Sequence, residues 1–419
     1  MIEWSEQHLM IQDMVRKFVQ AEIVPNLEQL EHGDMPPYDV MRKLVNTLGV
    51  ADAARMRYET LKARVLAEDA TRARGEAPAP KKERETPINA GDAAAMQVIP
   101  IIELSKYCPG MVTAMGVSMG LTAGAIMSKG TWAQKDRWAL PLLTLEKIGA
   151  WAITEPGSGS DAFGSMKATA RRDGDQYVLN GQKTFITNGP YADTIVFICK
   201  LDKGEKDAHD RRVVSFILDR GMEGLVQSKP LRKMGMHSSP TGELFLDNVR
   251  CGRERLMGES EDAAGGREGA KSTFGAERSG VVSMAYGIVE RSIELCTAYA
   301  RTRVQFGKPI GEFQLIQLKL AKMAVARMNI RNMLFRQIEL AAHGKSLSFA
   351  EASANKLYAA QATMEVCLEA VQLFGGNGYM AEYQVEQLCR DAKVLQIYGG
   401  TDEIQTSQIA RSMLSINSE

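Results

Sequence analysis

The chain has 419 residues, 45% hydrophobic and 24% charged, enough for two or three packed units and too apolar for a disordered chain. Its 51 Lys and Arg balance 51 Asp and Glu, which argues against a nucleic-acid coat or a polybasic membrane binder and leaves room for a local basic patch facing a phosphorylated small molecule. No apolar run is read as reaching the roughly 20 residues of a membrane span, and the start, MIEWSEQHLM, lacks the basic-then-apolar pattern of a secretory signal, so a soluble, cytoplasmic protein is expected.

Three regimes follow in chain order. Residues 1–149 read as helical: Leu9, Ile11, Met14, Val15, Phe18 and Val19 recur mostly at steps of three and four, with Pro25 and Pro36-Pro37 as breaks. Within them, 61–92 is a polar insertion with almost no large apolar residue after Leu66 and with Pro78, Pro80 and Pro87 amid mixed charge. It reads as a short solvated helix and an exposed linker, with a lid or partner-docking segment as the alternative. The small-residue stretch 117–125 suits either a pocket wall or close helix packing. Residues 150–265 change to period two: 176–179, 194–198 and 212–217 are β-branched or aromatic runs between turn residues. Asn180-Gly181 reads as a hairpin turn feeding a strand that ends in Phe185-Ile186-Thr187. Residues 266–419 return to long helices, broken by Gly307-Lys308-Pro309 and Gly375-Gly376-Asn377-Gly378. Helix, then strand, then helix implies an N-terminal α domain, a middle β domain and a C-terminal helical bundle.

The six Cys and five His are scattered without the spacing of a metal or redox set, so no metal is expected. The 23 Met and 6% aromatics suit adaptable helical cores. Chemistry concentrates in a few loops. TEPGSGSD (154–161) offers small residues for close backbone approach and the hydroxyls of Thr154 and Ser160. An aromatic face and a hydroxyl at Phe185 and Thr187 suit a planar heteroaromatic ring with hydrogen-bonding edges. Gly375-Gly376-Asn377-Gly378 also reads as a simple helix C-cap and turn.

The order of TEPGSGSD, NGQKTFITNG (180–189), RVQFGKPIGEFQ (303–314), QLFGGNGY (372–379) and IYGGTDEIQ (397–405) resembles the acyl-CoA dehydrogenase family from about Val112 to Arg411, with a weaker match over 1–49. The resemblance implies an N-terminal α domain, a β-sandwich or barrel middle domain and a C-terminal four-helix bundle. It also implies a homotetramer built as a dimer of dimers, FAD as cofactor, an acyl-CoA substrate oxidised to trans-2-enoyl-CoA, and electron-transfer flavoprotein as acceptor. Carried over by motif, Thr154 lies at the flavin pyrimidine edge, Phe185 and Thr187 cover the ring near N5, and Ser160 lies near the CoA chain. Arg303 meets the FAD diphosphate, with Gln305 and Phe306 by the adenine half. Gln372, Gly375 and Gly376 reach the cofactor from the neighbouring subunit, and Gln314, Thr401 and Glu403 are further FAD neighbours.

Many members carry the catalytic base in a Tyr-Glu-Gly-Thr segment. This chain has Tyr398-Gly399-Gly400-Thr401, so that carboxylate is absent. Long-chain and isovaleryl-CoA types place the acid on the long helix before the Arg-x-x-Phe-Gly segment, which here selects Glu277. That residue continues the apolar row of Val281, Met284 and Ile288, where an acid is costly unless paired or working; a solvated Glu in a first helical turn is the plainer alternative. Glu277 then takes the α-proton while the β-hydrogen leaves as hydride to flavin N5, and desolvation by the acyl chain raises the pKa of such a base toward operating pH. The Gly399 N–H keeps the family's role of stabilising the thioester oxygen together with a ribityl hydroxyl. Arg278 and, more weakly, Arg411 resemble arginines of the CoA region, against the alternative of surface ion pairs. An acyl-CoA oxidase, a carrier-protein thioester dehydrogenase, a non-redox flavin-bound lyase and a non-catalytic acyl-CoA binder are the rival readings.

Overall fold

A computed structural model of the chain describes residues 3–33, 35–75, 90–205, 211–261 and 266–414, with the side chains of 266–277 and 279 outside that set. The first helix, Glu6–Phe18, opens on a reciprocal cap: Ser5 Oγ accepts the His8 N–H at 3.3 Å, and His8 Nδ1 accepts the Ser5 N–H at 3.2 Å. Two donors that a helix start leaves open are thereby satisfied. Val15 and Phe18 of the predicted row are buried, whereas Leu9 and Met14 remain at the surface.

Two readings of the N-terminal part need correction. Residues 61–73 are the second half of the 24-residue helix Val50–Ala73 rather than a short separate one. No Pro or Gly interrupts 50–74 and Ala is frequent, so helix propensity carries the segment on. The helix is tethered by Tyr58 and Lys62, which donate to Asp136 at 2.6 and 2.8 Å. The stretch 76–89 lies outside the described residues, and 90–92 open the next helix, Ala90–Ser105. The second correction concerns Pro109–Lys129, a 21-residue helical stretch whose mean hydropathy of 1.4 does reach that of a membrane span. Small residues raise that average, and 44% of the window is buried inside the fold: Ala114, Ser118, Thr122 and Ile126 pack inward, and Ser118 Oγ accepts the Gly149 N–H of the sheet at 2.9 Å.

The middle of the chain forms a seven-stranded sheet: β1 (Gly149–Ala152), β2 (Thr169–Asp173), β3 (Gln176–Thr187), β4 (Thr194–Asp202), β5 (Val213–Asp219), β6 (Leu225–Gln227) and β7 (Thr241–Gly252). β5 covers one edge of β4. The other edge is shared, β1 pairing in parallel with 194–197 and β2 with 200–202. β3 and β7 run antiparallel, and β6 closes on β7. Asn180-Gly181 is not the expected turn. It lies inside β3, where the register against β7 slips between Leu179 and Gly181, and the β2–β3 turn is Gly174-Asp175. Gly181 has φ +151, and a Cβ there would stand 2.6 Å from the Ala168 Cβ, so a glycine is needed for close approach at a bulge.

The C-terminal part is built on the 37-residue central helix Gly266–Thr302, the helices Gln314–Ala342 and Phe349–Phe374, and the shorter Val385–Lys393 and Asp402–Met413. Val281, Met284 and Ile288 form a buried row on the central helix, as expected. One continuous core joins the two ends of the chain, running from Val15, Met41 and Leu104 to Ile288, Ile330 and Leu388. The sheet has its own core around Phe197 and Phe216. A smaller cluster of Ile126, Trp138, Val196 and Ile217 seals the sheet against the first helices. The helices thus pack against the sheet, and most candidate residues lie on loops and element ends, with Glu277 and Arg278 inside the central helix.

Candidate active site

The predicted residues fall into three groups. The first lies at the end of β3. The Thr184 N–H donates to the Thr154 carbonyl at 2.9 Å, which brings the 154–161 loop against Phe185 and Thr187. Beneath this contact Lys183, wholly buried, donates to the Ile153 carbonyl and to Glu155, both at 2.9 Å. Glu155 also accepts the N–H groups of Lys167 and Ala168 at 2.7 and 2.9 Å, closing the loop on itself. Burial pulls the Lys183 ammonium below its usual pKa, and the Glu155 charge opposes that shift. Above the ion pair, Phe185 has φ +56 beside a second register slip of β3 and is 69% exposed. A non-glycine residue held there costs of order 1–3 kcal/mol and persists only where its surroundings enforce it. Ser160 is exposed in the loop.

The second group lies at the end of the bundle. Strands β8 (Val304–Gln305) and β9 (Lys308–Pro309) form a hairpin whose tip, Phe306-Gly307, has φ +52 and +82, the signs of a type I′ turn. Phe306 is 94% exposed. Arg303 is exposed on a fixed backbone: its N–H donates to the Tyr299 carbonyl at 2.9 Å and its carbonyl accepts Ile310 N–H at 2.8 Å. Gln314 is exposed at the start of its helix. Tyr299 stacks on Phe374 at 4.1 Å, and its hydroxyl accepts from Asn377 at 3.0 Å. The hairpin and the Gln372–Gly376 turn are therefore neighbours. Gly375 does cap the preceding helix, as the plainer reading had it, with φ +61 and ψ −136. Gly375 and Gly376 also face open space, since a Cβ on either meets no atom within 4 Å.

The third group is the Gly399–Thr401 turn. Gly399 and Gly400 have φ +63 and +92, and Thr401 Oγ1 caps the terminal helix by accepting Ile404 N–H at 3.4 Å. The Gln405 amide donates to the carbonyls of Gly399 and Gly400 at 3.0 and 2.9 Å, and Lys356 donates to the Gly400 carbonyl at 2.8 Å. The Thr401 hydroxyl holds the exposed Glu403 carboxylate below its ordinary pKa. Tyr398 OH reaches Met284 Sδ at 3.5 Å, which sets the turn against the central helix. Glu277 stands on the row of Met284, two turns away and eleven residues after the first helical residue, so the first-turn alternative fails; its side chain lies outside the described residues. Arg278 is buried, its guanidinium 4.0 Å over the Phe349 ring and donating to Ser353 Oγ at 3.1 Å, so the surface-ion-pair reading does not hold for it. Arg411 is exposed in the last turn of the terminal helix.

Phe185 presents an exposed aromatic face at the sheet end, while Phe306, the exposed Arg303 and the open glycine turn at 375–376 lie at the bundle end; these are residue types that could hold a flavin dinucleotide, with apolar faces for rings, a cation for a diphosphate and room for close backbone approach. Among the described residues no three His, Cys, Asp or Glu side chains gather as a metal site. Reading the sequence missed Glu155, Lys183, Tyr299, Lys356 and Gln405, which hold these loops from beneath. A signal existed for Lys356: it is the only charged residue between Glu351 and Glu365 on an alanine-rich helix.

Family models match in chain order: acyl-CoA dehydrogenase N-terminal domain over 5–55, middle domain over 150–249 and C-terminal domain over 264–414. The short-chain-specific acyl-CoA dehydrogenase of Megasphaera elsdenii is 38% identical over 74% of this chain and 79% of its own length. A 3-(aryl)acrylate reductase of Clostridium sporogenes is 32% identical over 98% of this chain and 99% of its own. Among solved structures, butyryl-CoA dehydrogenase of Megasphaera elsdenii superposes with a TM-score of 0.81 at 30% identity, covering 98% of this chain and 99% of that one.

Proposed function

The chain belongs to the acyl-CoA dehydrogenase family of FAD-dependent oxidoreductases, and from that premise we propose that it converts an acyl-CoA thioester to the trans-2-enoyl-CoA. The observation that carries this reading is the approach of the Gly399–Thr401 turn to the Glu277 row of the central helix, through Tyr398 on Met284. Glu277 takes the α-proton, the role left open by the glycine at 399. The Gly399 N–H stabilises the thioester oxygen as charge develops on it, a task a backbone donor performs whatever its side chain. FAD, when bound, supplies the acceptor for the β-hydrogen and its electrons.

Thr154, Phe185 and Thr187 hold the ring end, with Ser160 toward the CoA chain and Thr401 and Glu403 as further neighbours. Arg303 meets the diphosphate, with Gln305, Phe306 and Gln314 beside the adenine half. Because Tyr299 ties the hairpin to the Gln372–Gly376 turn, we assign both segments to one subunit, reaching a cofactor seated on the Phe185 loop of another. Arg278 and Arg411 serve the CoA region. Self-association, as a dimer of dimers, is supported by an exposed apolar stripe of Leu315, Leu318, Val325 and Met328 on one face of the Gln314–Ala342 helix. An electron-transfer flavoprotein takes the electrons onward.

The test is anaerobic addition of short, long, branched and aromatic acyl-CoA thioesters to the FAD-loaded protein. Bleaching of the flavin band by at least one is expected. Retention of the oxidised spectrum with all of them, FAD still bound, contradicts the reading.

A further inference from the structure

Lys356 is a buried charged side chain to which the proposed chemistry gives no role. It is fully buried, in a stretch of the Phe349–Phe374 helix where Ala352, Ala359 and Ala360 are buried beside it. A buried ammonium costs several kcal/mol in desolvation, and an apolar residue of similar volume often serves stability as well or better. The cost is met here by a specific arrangement. Nζ donates to the Gly400 carbonyl at 2.8 Å and lies 3.6 Å from Asp402, whose carboxylate also accepts from Gln361 and Gln396 at 3.2 and 3.1 Å. Gln405, also fully buried, donates to the Gly399 and Gly400 carbonyls from the same side.

Two consecutive carbonyls of the turn are thus drawn inward by two buried side chains. Among the described residues there is no cis peptide, and in a trans peptide the N–H points opposite to the C=O. The Gly400 and Thr401 N–H groups are therefore turned away from Lys356 and Gln405. Donation to each carbonyl also polarises its peptide unit and strengthens the N–H at the other end. Without these two anchors, a turn with two adjacent glycines at positive φ has many other conformations open to it.

We propose that Lys356 and Gln405 are positioning residues that lock the Gly399–Thr401 turn by holding the Gly399 and Gly400 carbonyls inward, and so fix the backbone from which the Gly399 N–H faces the thioester carbonyl. The locking is a claim about this chain alone; the facing rests on the reading that the turn receives the thioester. The two are tested on the FAD-loaded protein with Lys356→Met and, as the milder change, Gln405→Met. Hydrogen exchange of the 399–401 amides reads the locking, and both variants are expected to exchange there at least about tenfold faster, with helix Phe349–Phe374 unaltered. The infrared frequency of a 13C-labelled thioester carbonyl in bound crotonyl-CoA reads the facing. It should shift in the variants toward its value in free solution, while flavin reduction by the acyl-CoA that bleaches the wild type fastest slows about 10- to 100-fold with KM changed less than about threefold. Unchanged exchange at 399–401 in both variants overturns the locking. Faster exchange with an unmoved carbonyl frequency and unchanged reduction rate overturns the facing. Failure of the wild type to bleach with any acyl-CoA is a different result, since it removes the proposed reaction and leaves the exchange test of the turn standing.

Discussion

The two patches that we assign to the cofactor are built on opposite principles. At the sheet end, Phe185 and Thr187 are held from below by a desolvated Lys183–Glu155 pair, and strain at Phe185 is tolerated because that pair and a register slip enforce it. At the bundle end, Phe306 and Gly375–Gly376 sit on self-contained turns, with Tyr299 as the link between them. The first patch is part of the protein's stability; in the second, Gly375 at positive φ is the position tied to folding, and the groups around it can change with little effect on it. Variants at the sheet end should therefore report on fold and cofactor together, and variants at the bundle end other than Gly375 on cofactor alone.

The largest effect is expected from Lys183→Met. It leaves the Glu155 charge buried without its partner, which should cost about 3–5 kcal/mol and show as a lower Tm together with loss of FAD. A Tm equal to wild type breaks the contrast at its sheet end. Next, Gly375→Ala should cost about 1–3 kcal/mol, because φ +61 with ψ −136 is strained for any residue with a Cβ. Gly376→Ala sharpens the comparison: its added Cβ meets open space and its φ is not in the left-handed region, so folding should change by no more than about 0.5 kcal/mol. A fall in FAD retention with an unmoved Tm in Gly376→Ala is the expected result, and full FAD retention removes that turn from the cofactor site.

The smallest effect concerns a junction away from both patches. Glu31 is buried, accepts from Cys108 Sγ at 3.7 Å and faces Asp391; burial first, and then the Asp391 charge, push its pKa up to about 8. The folded state thus holds a proton that the unfolded chain releases near 4.5. Stability from this group is complete below about pH 4.5 and is lost as pH rises through about 8. Lys233, pulled down to about 8 by burial, contributes in the opposite sense, losing stability as pH falls from 10.5 through about 8. The Tm of Glu31→Gln should depend less on pH between 5 and 8 than that of wild type, and parallel curves would remove the junction from the acid–base balance of the fold.

Much of this was legible in the residues. The β-branched and aromatic runs at 194–198 and 212–217 marked β4 and β5, and the row of Val281, Met284 and Ile288 marked the buried face of the central helix. What escaped depends on contacts distant in sequence. Asn180-Gly181 has the composition of a hairpin turn, yet the approach of Ala168 makes it a bulge inside a strand. Nothing local tells that residues near either end of the chain share one core. The candidate site divides likewise. Groups that face outward, such as Phe185, Phe306 and Arg303, stand in recognisable motifs. The residues that hold them, Lys183, Lys356 and Gln405, acquire meaning only from the carbonyls and carboxylates the fold brings to them.

The central claim is that the acid on the long helix does the work of the carboxylate absent at 399. Its most direct test is anaerobic single-turnover reduction of FAD in Glu277→Gln, compared with wild type on the same acyl-CoA. A rate lower by about 10²- to 10⁴-fold, with FAD content and Tm preserved, is the predicted result. Reduction at the wild-type rate contradicts the account and puts the base elsewhere.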